Sequence, residues 1–257
     1  MAFRTPKLED AVLPITALQT WTPYCGEAPD PAALMGRWNL DPVLLLVLAA
    51  AFAGLSIWRT DSTGRMWLIA AFGVLAIVFV SPLCALSSAL FASRTVHHIL
   101  LVGAAAPMLA MVMPRRRGRL VLATAAQAVV FWGWHAPDAY AAAMSNDAVY
   151  WLMQVSLLGS AVWFWSAARA ASAPAAVTAL LAAMLLMGLL GALITFAGQP
   201  VYAPHFATTL VWGLTPLEDQ QAAGLIMWAP AALLYLFAAL WRTARMIGPP
   251  PSRAIAG

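Results

Sequence analysis

The side chains able to hold a metal or pass a proton fall in a few short stretches. His97 and His98 open the third apolar run of the chain, His135 closes the fourth, and His205 lies in the segment before the last run. Imidazole changes charge near neutral pH and is the commonest metal ligand, so several histidines at one membrane face point to a metal site or a proton relay. Taken singly, each histidine also fits a helix-capping or interfacial role, and only the cluster points to chemistry. Neighbouring residues on a helix lie about 100° apart, so His97 and His98 cannot face one partner equally. Ile99, Leu100, Leu101 and Val102 continue as membrane helix beyond them. His98 is therefore expected to face the bundle interior and His97 the outer loops, while His205 reads as an ordinary loop residue.

Sulfur and polar groups supply the other candidates. Cys25 and Cys84 are too few to define a disulfide scaffold or a zinc site from spacing alone. On an extracytoplasmic side they read first as a structural disulfide that pins the N-terminal tail, and second as Cu(I) ligands, since soft thiolates suit that ion. Met144 in an outer loop and Met227 in the last run offer thioethers, although most of the 12 methionines are expected to pack or face lipid. In the stretch from Trp212 to Trp228, Thr215 and Pro216 resemble an N-cap and first-turn proline, with Glu218 at the capping-box position. Asp219, Gln220 and Gln221 then carry polar groups into a span, which is costly unless they are paired. With Glu218 they form a candidate polar site or partner contact.

The elements that position these residues follow from composition. Of 257 residues 63% are apolar and 9% charged, far below the roughly 25% charged content of a soluble domain. In lipid the backbone must satisfy its own hydrogen bonds, so helices are expected. Seven apolar runs stand out, at 42–58, 66–83, 97–113, 119–136, 148–168, 175–197 and 221–242. Asp41-Pro42 reads as an N-cap with proline in the first turn. The expectation is an all-α membrane protein with about seven transmembrane helices: a tail over 1–40, a membrane domain over 41–245 and a second tail over 246–257. Residues 1–20 lack the unbroken apolar core of a cleavable signal and read as a retained tail. There is no internal repeat of the kind that marks inverted-repeat transporters.

The net charge of +4 is a topology signal, not a nucleic-acid footprint. Arg59, Arg65, Arg115, Arg116, Arg117, Arg119, Arg169, Arg242, Arg245 and Arg253 fall on one side, and Arg4, Lys7, Arg37 and Arg94 on the other. Ten against four predicts the N-terminus outside and the C-terminus inside, which puts all four histidines at the outer face. Trp38, Trp134, Trp151 and Trp212 lie near that boundary, as interfacial anchors should. No Walker loop, His-Glu-x-x-His helix or Gly-x-Ser-x-Gly elbow is present. A retinal protein is excluded because no span contains lysine.

Ser81-Pro82-Leu83, the outer histidine pair, Trp134-His135-x-Pro137 and Pro216-Leu217-Glu218-Asp219-Gln220-Gln221-x-x-Gly224-Leu225-Ile226-Met227-Trp228 together resemble the CtaG family of cytochrome c oxidase assembly factors. The resemblance covers residues 38–242, and the last motif is the long, specific one. It implies a non-enzymatic, seven-helix protein of the bacterial inner membrane that assembles haem–copper oxidase and handles copper. The implied partners are oxidase subunits and membrane lipid, not nucleic acid. His98 and His135 match the family pattern and are the expected core ligands for copper as Cu(I), with His97, Cys25, Cys84 and Met227 secondary. Family members carry further histidines where this chain has Arg94 and Gln154, which are poorer ligands. The rival readings are a metal-free scaffold for a nascent oxidase subunit and a haem protein using the same histidines as axial ligands.

Overall fold

The computed structural model describes residues 21, 23–58, 61–114 and 119–248. Arg4, Lys7, Arg59, Arg115, Arg116, Arg117 and Arg253, all used in the charge count above, lie outside these. Among the described residues the regular structure is entirely helical. The main helices are α1 (Pro42–Trp58), α2 (Ser62–Phe79), α3 (Pro82–Ala89), α4 (Phe91–Val112), α5 (Leu120–Trp134), α6 (Pro137–Ala143), α7 (Asp147–Ala170), α8 (Ala173–Thr195) and α9 (Pro216–Ile247).

Five of them, α2, α4, α7, α8 and α9, are long and apolar enough to cross a membrane. The apolar helices α1 and α5 have 17 and 15 residues. At 1.5 Å per residue they reach about 26 Å and 22 Å, short of a hydrocarbon core of about 30 Å. Two short helices, α3 and α6, stand where the sequence suggested the end of the second span and an outer loop. In both, a proline occupies the first turn and an extended residue, Ser81 or Ala136, precedes it, so the chain stops one helix and starts another within a few residues.

Helix starts are set by local chemistry. Asp41 Oδ1 accepts from the amides of Val43 and Leu44, Asp61 caps α2 through Gly64, Asn146 caps α7 through Val149, and Thr215 and Glu218 form a reciprocal capping box on α9. Two helices contain a wide π turn: Leu101–Ala105 in α4, and Met227–Ala231 in α9 around Pro230, which has no amide to donate. Trp165 Nε1 donates to the Val102 carbonyl within the first of these turns at 2.9 Å.

α8 and α9 approach each other closely at backbone level. A Cβ on Gly224 would meet the Gly191 carbonyl and the Thr195 amide, each at 2.6 Å, and one on Gly191 would meet the Trp228 amide at 2.7 Å. Only glycine fits at this crossing, as expected where helices associate by backbone proximity in lipid. The glycine of the long sequence motif thus has a packing reason.

Because the helices alternate in direction, one end of the bundle gathers the α2–α3–α4 junction, the C-terminal end of α5, α6, the start of α7, the 196–215 segment and the start of α9. All four histidines are at this end.

Candidate functional site

The site is built on the first two turns of α4. Leu90, the residue before this helix, offers no side-chain cap. The cap comes from 128 residues away: Asp219 Oδ2 accepts from the Phe91 amide at 2.7 Å and Oδ1 from the Ala92 amide at 3.1 Å. Asp219 is fully buried. A carboxylate at a helix N-terminus satisfies two orphan donors and faces the positive end of the helix dipole. Gln220 beside it accepts from the Val201 amide and donates to the Ile194 and Gln199 carbonyls, stapling the 196–202 segment to α9. Glu218 is used in its own capping box. The expected polar site or partner contact over Glu218, Asp219, Gln220 and Gln221 is thus mostly internal scaffolding, with only Gln221 holding no described bond.

His97 and His98 follow on α4, and both are completely buried. His98 turns toward α5, where its ring centroid lies 5.4 Å from that of His135 at an interplanar angle of 80°. His97 stands 5.7 Å from His98 and packs edge-on against Phe79 at 5.2 Å. His97 was expected beside the outer loops; it lies instead inside the bundle, because α3 and α9 pack along the start of α4 and Phe79 of α2 covers its ring. His205 corrects another expectation. It is 2% exposed, its Nε2 lies 2.7 Å from the Tyr140 hydroxyl, and its ring sits 5.9 Å from Phe91. Burial and the nearby Arg94 push its pKa down to about 3, so it is neutral at physiological pH.

The histidines differ in which nitrogens are used. His135 Nδ1 lies 2.7 Å from the Phe131 carbonyl, which can only accept, so Nδ1 carries the proton and Nε2 keeps its lone pair. That Nε2 is buried with no partner, and so are both nitrogens of His98 and of His97. A backbone carbonyl that fixes the tautomer is the usual support for a metal-ligating imidazole. Two metal–nitrogen bonds of about 2 Å plus the ring radii allow centroids up to roughly 6 Å apart, so His98 and His135 are near enough to share one ion. Among the described residues no three or more His, Cys, Asp or Glu side chains are grouped to hold a metal. What the structure brings together is a buried pair of imidazoles with ring centroids 5.4 Å apart.

Around the pair lie aromatic side chains that sequence reasoning passed over, and Arg94, which it set down only as an outer-side charge and a poorer ligand than histidine. Phe91 stacks on Tyr202 at 3.7 Å, Phe131 on His135 at 4.4 Å, and the Tyr202 hydroxyl donates to the His135 carbonyl at 2.8 Å. Burial pushes the Tyr140 and Tyr202 phenols up, so both act only as neutral donors or acceptors. Arg94 is fully buried, with Nη1 3.5 Å from the Tyr150 hydroxyl and Nη2 3.5 Å from Met144 Sδ. The available signal was a charged residue one turn before a histidine pair at the mouth of an apolar run.

Cys25 and Cys84 are joined as a disulfide with Cα atoms 5.4 Å apart, which ties the segment before α1 to α3. A disulfide sulfur is not a thiolate, so in this form the pair is a tether and Cys25 and Cys84 leave the expected ligand set. Met227 is fully buried in the apolar core where the π turn of α9 begins.

The family model described as cytochrome c oxidase caa3 assembly factor matches residues 62–248, which span the helices from α2 to α9 and include the three clustered histidines, Arg94 and Asp219. No curated protein and no solved structure matches the chain.

Proposed function

The chain belongs to the cytochrome c oxidase caa3 assembly factor family, and from that premise we propose that it is a seven-span inner-membrane carrier that takes Cu(I) onto His98 and His135 at its extracytoplasmic end and passes it to an oxidase subunit. The observation that carries the copper part is the His98–His135 pair, buried, 5.4 Å apart and holding unpartnered lone pairs. Burying an imidazole nitrogen without a partner costs stability, and a transient ligand removes that cost. His97 stands beside the pair as a third imidazole.

In this reading α1 and α5 complete the set of spans, the N-terminus lies outside and the C-terminus inside. Among the described residues Arg65, Arg119, Arg169, Arg242 and Arg245 lie at the end away from the histidines, which fits the tendency of cytoplasmic loops to collect arginine. A disulfide at the histidine end fits an oxidising compartment. Copper is favoured over haem because Phe91 and Phe131 pack against His135 in the space a macrocycle would need. The partners are oxidase subunits and lipid, and the role is that of a carrier, with no reaction catalysed.

The test is anaerobic Cu(I) titration of the purified protein against a chromophoric chelator, together with oxidase activity in cells. His98→Ala and His135→Ala are each expected to weaken Cu(I) binding by on the order of a hundredfold and to lower oxidase activity. Absence of Cu(I) uptake by the unaltered protein would overturn the copper role. A second reading, the metal-free scaffold, is favoured by the lack of a third grouped ligand among the described residues. It predicts oxidase subunits that co-purify, and activity that persists, without either histidine.

A further inference from the structure

Arg94 is the least expected side chain in the molecule. It sits on α4 one turn before His98 with no exposed surface, and a guanidinium keeps its proton in proteins. The groups it touches are neutral: the Tyr150 and Tyr140 hydroxyls, the Met144 thioether, and the Tyr150 ring, whose centroid lies 5.3 Å from Cζ. Its Nε has no partner. Among the described residues no carboxylate pairs with it; the buried Asp219 at the head of the same helix gives its two oxygens to the Phe91 and Ala92 amides. A buried ion without a counter-charge costs several kcal/mol, so such a group persists where a ligand or partner supplies the opposite sign. The Nδ1 of His205 and both nitrogens of His97 are also buried without partners near this cation.

This charge bears directly on copper. Adding Cu(I) to His98 and His135 would bring a second positive charge into the same low-dielectric space, which is unfavourable unless an anion comes with it. We propose that Arg94 forms an anion site beside the histidine pair and takes a soft monoanion, a halide or a thiolate, that completes the coordination of Cu(I). The guanidinium fixes the anion, the anion offsets both cations, and the two histidines hold the metal. Anion and metal then bind with positive coupling, each raising the affinity of the other by one factor. A thiolate donated by a client cysteine would in this way be recognised before copper moves to it. The copper part rests on the function proposed above; the anion part does not.

The test uses the full-length protein in detergent with its disulfide intact. In copper-free protein, chloride-35 NMR line broadening against a gluconate background is expected to report saturable chloride binding that Arg94→Gln abolishes and Arg94→Lys retains in part. Cu(I) affinity is expected to be about tenfold tighter in chloride than in gluconate, the scale of one compensated charge in a partly buried site, and the difference should vanish in Arg94→Gln. A single-cysteine peptide that displaces the chloride, where its serine counterpart does not, would identify thiolate as the preferred source; no displacement would leave halide as the ligand. The salt comparison on the unaltered protein needs no variant to fold. Equal Cu(I) affinity in both salts, with no saturable chloride signal, overturns the proposal while leaving copper binding intact. Arg94-dependent chloride binding without any Cu(I) uptake overturns the copper role and keeps the anion site.

Discussion

The two ends of the bundle handle polar groups in opposite ways. At the histidine end the polar side chains are inside: Arg94, His97, His98, His135, His205, Gln154, Asp219 and Gln220 are all buried. At the other end Arg65, Arg119 and Arg245 are exposed, and the two half-buried arginines bond backbone carbonyls across helix ends, Arg169 to Ala110 and Met113 and Arg242 to Ala171. That second pattern is ordinary C-terminal capping, in which a cation meets the negative end of a helix. The comparison separates charge used for folding and orientation from charge held inside at a cost. Among the described residues the histidine end gathers the buried imidazole nitrogens of His97, His98, His135 and His205 and Nε of Arg94 without hydrogen-bond partners, and such atoms mark a place for a ligand.

The contrast can be broken at several points. The largest effect is expected from Asp219→Ala, which leaves two buried amides of α4 without an acceptor and should cost roughly 3 kcal/mol. The check is thermal unfolding in detergent, with copper uptake lost alongside stability. Cys25→Ser comes next. It opens a loop closed across a sequence separation of 59 residues; the loss should be about 2–4 kcal/mol, read as a lower Tm that matches the unaltered protein under reducing conditions.

Acid should act on the histidine end before the other. His205 has a folded pKa of about 3, against roughly 6.5 when unfolded. Between these values the unfolded chain binds the extra proton, so stability is complete above pH 6.5 and falls as pH drops. The loss should be about 2 kcal/mol by pH 5. A His205→Gln variant is expected to flatten the Tm profile between pH 7.5 and 5; an unchanged slope would place the titrating group elsewhere. The smallest effect belongs to Arg169→Met, which loses capping bonds at the opposite end. Roughly 1 kcal/mol of stability should go, with Cu(I) affinity unchanged, and a parallel loss of Cu(I) binding would dissolve the division between the ends.

The readable part of this molecule lay in local chemistry. Asp41-Pro42 and Thr215-Pro216 announce helix starts because capping is decided within three or four residues, whereas Ser81-Pro82 starts α3 without having been read as a cap. The pairing of His98 with His135 came from the resemblance to the CtaG family, whose pattern both match, while position in the apolar runs placed the histidines only at one face. What the chain did not disclose depends on contacts between distant segments. Asp219 looked like a free polar group because its partners, Phe91 and Ala92, are 128 and 127 residues away. His205 looked exposed because a loop residue is buried only when an aromatic layer, here Phe91, Tyr140 and Tyr202, closes over it. α3 and α6 were read as a span end and a loop because their apolar residues are too few for periodicity to stand out.

The cap that Asp219 places on α4 has a consequence for biosynthesis. The histidine helix is made early and the residue that completes its first turn arrives with the last helix, so a growing or truncated chain holds His98 on an unfinished segment. A chain arrested before residue 219 would leave the Phe91 and Ala92 amides without their acceptor, so the first turn of the histidine helix is completed only when the C-terminal helix docks.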